Sequence, residues 1–252
     1  MAKSTKSRLI GWALRALVAV MILSVLGVLL WRIFSSGDPS SMTTLQANDK
    51  LCAAYAAEGD QLKILHQQHD IIIRQGPAKG YFSVTQSEFL PSAEQLQITF
   101  RYNNSTLKHV AADYGKPTPL ERGKDWFDVT VTIAYDLTPE NNEDNDINNP
   151  ESVRFERYQP SAITKDTKNL YNYERLTFDG IQILDHYDAE GNPVMRSDVL
   201  AVYVDVYFNE DVDYGKDALG TLLIYVWGNE RKMLVNYPDK HDIAALEAGV
   251  QK

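Results

Sequence analysis

Carboxylates are the residues set most densely for chemistry in this chain. Asp136, Glu140, Glu143, Asp144, Asp146 and Glu151 fall in one short stretch, interleaved with asparagines. Crowded carboxylates repel one another unless water spreads them or a hard cation with oxygen ligands bridges them, so Ca²⁺ is the cofactor this stretch raises. Asp144, Asp146 and Asn148 take positions 1, 3 and 5 of an EF-hand loop, but Asn149 stands where Gly is needed and Phe155 where a bidentate Glu is needed. The match fails where bidentate ligation is required, and a solvated insertion between two strands is the preferred reading. A second acidic loop, Asn209 to Asp217, supplies Asp211 and Asp213. These join a shared cation only if the two loops meet at one end of the domain.

Aromatic residues make the second candidate. Along 199–208, Tyr203, Asp205 and Tyr207 alternate with Val202, Val204, Val206 and Phe208, and Trp227 follows in the next apolar segment. Flat rings beside a carboxylate on an exposed sheet face suit a glycan, a peptide or a protein partner. The bland alternative is the ordinary preference of Tyr for strands. A hydrolase would need a carboxylate pair, such as Asp205 with Asp211 or Asp213.

Other patterns stop short of chemistry. His66 and His69 are spaced to share a metal as one helical turn, but no third ligand and no H-E-x-x-H pattern accompany them. Ser105-Thr-Leu-Lys108 fits S-x-x-K, with neither S-D-N nor K-T-G after it. Cys52 is the only cysteine, so no disulfide closes within the chain, and its Ala-rich surroundings predict a small buried apolar residue.

The element that locates these groups is the apolar run Leu9 to Phe34. Sixteen residues without charge, Ala16 to Trp31, lie between Arg15 and Arg32. As a helix they reach ~24 Å, so both arginines must snorkel for the flanking apolar residues to complete a membrane span. Lys3, Lys6, Arg8 and Arg15 precede the run, which predicts a cytoplasmic N-terminus and an extracytoplasmic remainder. A cleaved signal peptide is the rival reading. The length of the run, its Trp31-Arg-Ile-Phe34 end and the poor cleavage site around Ser35 and Gly37 favour an uncleaved signal-anchor at the cell membrane. The five charges before Ser35 are all positive, so the remainder carries 20 Lys+Arg against 34 Asp+Glu, a formal −14. That balance disfavours nucleic acid and anionic lipid as partners and permits cationic ones.

Periodicity predicts the rest. Leu51, Tyr55, Leu62 and Leu65 suggest an amphipathic helix over 45–68. From Gly76 the pattern has period two, with strands expected at 81–89, 95–102, 125–135, 153–158, 174–178, 181–184, 199–208, 221–227 and 232–237. Strands at this spacing with no recurring helix exclude a doubly wound α/β fold and favour a mainly β protein. The expectation is an antiparallel β-sandwich, immunoglobulin-like in architecture only. The divisions expected are a cytoplasmic 1–8, an anchor over 9–34, a spacer and helix over 35–75, a sandwich over 76–238, and a terminal helix or tail over 239–252. The functional expectation is a single-pass membrane protein with an extracytoplasmic binding or envelope-assembly module. The alternatives are an anchored hydrolase or a scaffold dimerised through 45–68.

Overall fold

The computed structural model describes residues 5–35, 37–72, 82–116, 125–137, 153–209 and 218–224. The chain separates into two units, Met1–Pro39 and Ser40–Lys252. The first holds one helix, α1 (Thr5–Ser35). Within it Trp12–Trp31 is strongly apolar, with Arg15 its one charged residue, and none of it is buried. Its 20 residues rise ~30 Å, which is long and apolar enough to cross a membrane.

The second unit is mainly β and entirely antiparallel among the described residues. It opens with α2 (Ser40–Thr43) and α3 (Asp49–Glu58), then a 3₁₀ turn at Gly59–Gln61. Asn48 accepts a hydrogen bond from the Leu51 amide and caps α3, while Gly59, at φ +57° and ψ −130°, ends it. The helix expected over 45–68 is therefore a single ten-residue helix. Leu65 belongs instead to strand β1 (Leu65–Ile72), where it pairs with Phe89.

The strands that follow are β2 (Phe82–Leu90), β3 (Gln95–Asn103), β4 (Phe127–Asp136), β5 (Val153–Tyr158) and β6 (Ala162–Lys168). Then come β7 (Tyr171–Asp179), β8 (Leu184–Tyr187), β9 (Pro193–Met195), β10 (Val199–Phe208) and β11 (Gly220–Ile224). Between β3 and β4 lies a helix that strand periodicity does not suggest, α4 (Asn104–Asp113), started by a capping box of Asn103 and Thr106. The Ser105 and Lys108 of the S-x-x-K pattern lie in it as ordinary helical residues.

One sheet runs β1-β2-β3-β7-β6, a second β11-β10-β4-β5, and β8-β9 form a hairpin. Alternation decides which side chains enter the core. Leu96, Ile98, Phe100 and Tyr102 of β3 share one buried cluster with Val129, Val131, Ile133 and Tyr135 of β4 and with Val202, Val204, Val206 and Phe208 of β10. Leu107, Val110 and Ala111 of α4 join it. The Phe127 ring meets Phe82 edge-on at 5.0 Å and Tyr102 at 4.8 Å, so both sheets feed this core. Ile181 and Ile183 are buried in it without forming the strand expected at 181–184, of which only Leu184 belongs to a strand. The turn between Tyr187 and Pro193 closes the β8–β9 hairpin, with Gly191 at φ +85° and Asp188 accepting from the Asn192 amide. The expected strand 232–237 and terminal helix over 239–252 lie outside the described residues, as does the 225–227 end of the expected strand 221–227.

Candidate functional site

The face of the five-stranded sheet that points away from the core is polar, yet it is buried. Gln86 and Glu88 on β2, Gln97 and Thr99 on β3, and Arg175 and Thr177 on β7 all lie on it, and Arg175 is 0% exposed. A strap formed by residues 40–48 closes it. The carbonyl of Met42 accepts from Gln86 Nε2, from Thr99 Oγ1 at 2.9 Å and from Arg175 Nη1 at 2.7 Å. Arg175 also donates to Thr99 Oγ1 at 2.9 Å, to Gln97 Oε1 at 3.2 Å and to Glu88 Oε2 at 2.8 Å. The other Glu88 oxygen lies 2.9 Å from Nδ1 of His66 on β1. Gln46 then pairs with Gln97 through its backbone: its amide donates to Gln97 Oε1 and its carbonyl accepts from Gln97 Nε2, each at 2.9 Å. Asn48 Nδ2 reaches both carboxylate oxygens of Asp179. A buried guanidinium is tolerable only when its donors and charge are answered, and this ring answers them.

The segment that follows the strap bears the second feature, an apolar groove of about 490 Å³ along α3. Leu45, Leu51, Tyr55, Ala56, Leu62 and Ile64 line it, together with Cys52 and Asp60. Tyr55 is 58% and Ile64 43% exposed, and Cys52, expected to be buried, is exposed as well. Leu51, itself a groove residue, and Ala54 are buried and cluster with Leu90 and Ala93. The groove is therefore the outward side of a helix whose inner side is anchored to the sheet. Residues 40–48 are bonded into the domain, so the helix that follows them is part of it.

The residues singled out from the sequence divide between two places. Tyr203, Asp205 and Tyr207 share one face of β10, but that face is covered: Tyr203 and Asp205 are 0% exposed and Tyr207 is 3%. The expectation of an exposed face fails at these three side chains. The strand β10 is central in its sheet, between β4 and β11. Asp205 accepts from Thr132 Oγ1 of β4 at 2.9 Å and from Thr221 Oγ1 of β11 at 2.6 Å. Burial pushes the Tyr203 phenol upward, and the Asp205 carboxylate adds to the shift. Trp227, Asp144, Asp146, Asn148, Asp211 and Asp213 lie outside the described residues. Among the described residues no three His, Cys, Asp or Glu side chains cluster closely enough to hold a metal.

Both features found in the structure were missed by periodicity. A Gln-Gln-Thr-Thr face around one Arg reads as solvent-facing, and the only signal for the groove was the apolar spacing of Leu51, Tyr55 and Leu62. No family model matches the chain, and neither does any curated protein or solved structure.

Proposed function

We propose that this chain is a membrane-anchored binding module whose α1 crosses the cell membrane with the N-terminus in the cytoplasm. The two sheets form an extracytoplasmic β-sandwich, and the groove along α3 takes an apolar segment of a protein partner. The observation that carries the reading is the groove itself, which is within the size range of ligand sites and lined by aliphatic and aromatic side chains. Charge favours a partner with basic residues beside its apolar ones. Asp60 is among the residues lining the groove, and residues 35–252 carry a formal −14. The partner is then an amphipathic basic peptide segment, held by its apolar side in the groove mode common to helical ligands. The hydrolase alternative loses support from Asp205, whose carboxylate is enclosed and bonded to two threonines.

The test uses the full chain in phosphatidylcholine nanodiscs, titrated with a fluorescein-labelled Leu/Lys amphipathic peptide against empty nanodiscs as the blank. Saturable binding is expected, with at least a tenfold loss in Ala56→Trp, which fills the groove from an exposed helix position. No saturable binding above the blank, or binding that Ala56→Trp leaves intact, overturns the proposal. A fluorescent fatty acid that binds where the peptide does not would overturn the assignment to a peptide.

A further inference from the structure

A buried carboxylate lies on the core-facing side of β7, far from the groove. Glu174 is 1% exposed and pairs across the sheet with Phe100 of β3 and Lys165 of β6. One oxygen, Oε1, lies 3.4 Å from the Tyr102 hydroxyl and 3.6 Å from Lys165 Nζ. The other, Oε2, is buried and has no hydrogen-bond partner. Lys165 donates more closely to Asp125, at 2.8 Å, and Asp125 leads into β4 of the other sheet. Lys165 therefore sits between two carboxylates, one in its own sheet and one at the start of the second.

We propose that Glu174 is a proton-operated latch, protonated when Lys165 ties edge strand β6 to Asp125, and drawing Lys165 away from Asp125 when it ionises. The groups facing Glu174 are Lys165 on β6, Asp125 before β4 and Tyr102 on β3. Burial is the largest influence and raises the Glu174 carboxyl to about 7; Lys165 opposes the rise and Asp125 adds to it. The latch thus operates near neutrality, where an ordinary glutamate is already ionised. The sign follows from proton binding. The folded state holds this proton to higher pH than the unfolded state, so its contribution favours folding below the folded pKa and is progressively lost as pH rises from the ordinary glutamate range through about 7.

The experiment measures the thermal midpoint of the full chain in nanodiscs from pH 5 to 8.5, in wild type and in Glu174→Gln. The wild-type midpoint is expected to fall by about 5–10 °C relative to the variant as pH rises across this range. Parallel profiles overturn the latch. Two further variants at partly exposed positions guard against Glu174→Gln failing to fold. Asp125→Asn removes a repelling charge and should move the transition to lower pH, while Lys165→Met removes an attracting one and should move it higher. A transition that neither variant moves, or that both move in one direction, refutes the assignment. Amide hydrogen exchange in β6 should quicken above the transition in wild type only, and equal rates on both sides of it would also refute the latch.

Discussion

Removing one partner of the Arg175–Glu88 pair should be among the most costly substitutions in the domain. The side chains are 0% and 5% exposed and meet at 2.8 Å. Glu88→Leu leaves a guanidinium in the interior without its counter-charge, while Arg175→Met leaves a buried carboxylate with only His66 beside it and takes one donor from the Met42 carbonyl. Breaking a buried pair from one side costs about 3–5 kcal/mol. Against a typical total of about 5–15 kcal/mol that is a large fraction, and for a domain of this size it lowers the melting midpoint by about 10 °C. The double variant Glu88→Leu/Arg175→Met removes both charges together. Its Met42 carbonyl keeps the donors from Gln86 and Thr99, and His66, half exposed, can turn to water. Its loss should therefore fall short of the sum of the singles, with a coupling of roughly 2–3 kcal/mol. Urea unfolding of the full chain in nanodiscs, followed by circular dichroism, reads all four proteins. Singles that cost less than about 1 kcal/mol, or losses that add to within about 0.5 kcal/mol, would refute the claim that this pair holds the strap. Amide exchange over residues 40–61 should rise in both singles before the rest of the domain responds.

Asn48→Ala removes the cap of α3 and both contacts to Asp179. It should cost about 1 kcal/mol, seen as faster amide exchange confined to α3. Asp179 itself predicts the acid limb of stability. Burial alone would raise its carboxyl, but hydrogen bonds from Ser161, Gln95 and Asn48 together hold it below the ordinary range. Its contribution is therefore present above the ordinary aspartate range and lost as pH falls through the lowered value. Asp179→Asn should flatten the acid side of a pH–stability profile, and an unchanged acid limb would count against the network.

Legibility tracked how local the cause of each element was. The strands β4, β5 and β10 announce themselves because apolar residues alternate with polar ones along most of their length, although both faces of β4 and β10 turn out to be buried. Polar strands hid: β6, with the sequence Ala-Ile-Thr-Lys-Asp-Thr-Lys, and β1, beginning Leu-His-Gln-Gln-His, become strands by pairing with β7 and β2. The helix α4 was legible in principle from Asn103 as cap and Leu107, Val110 and Ala111 on one side, but it is short and follows directly on a strand. For the candidate site almost nothing was local. Arg175 finds its acceptor on Met42, 133 residues earlier, and the Asp205 carboxylate finds hydroxyls on two neighbouring strands.

By itself, then, the sequence determined what depends on neighbours along the chain: an apolar helix able to cross a membrane, an acidic remainder, and antiparallel strands with one apolar face. Tertiary structure decided what depends on coverage. Whether the second face of a strand meets water or another segment is settled by contacts far apart in sequence. Coverage leaves Tyr55 of α3 in the open and seals Tyr203, Asp205 and Arg175 of the strands inside. A polar side chain is stable in either place provided its hydrogen bonds are met, so residue type alone does not say which.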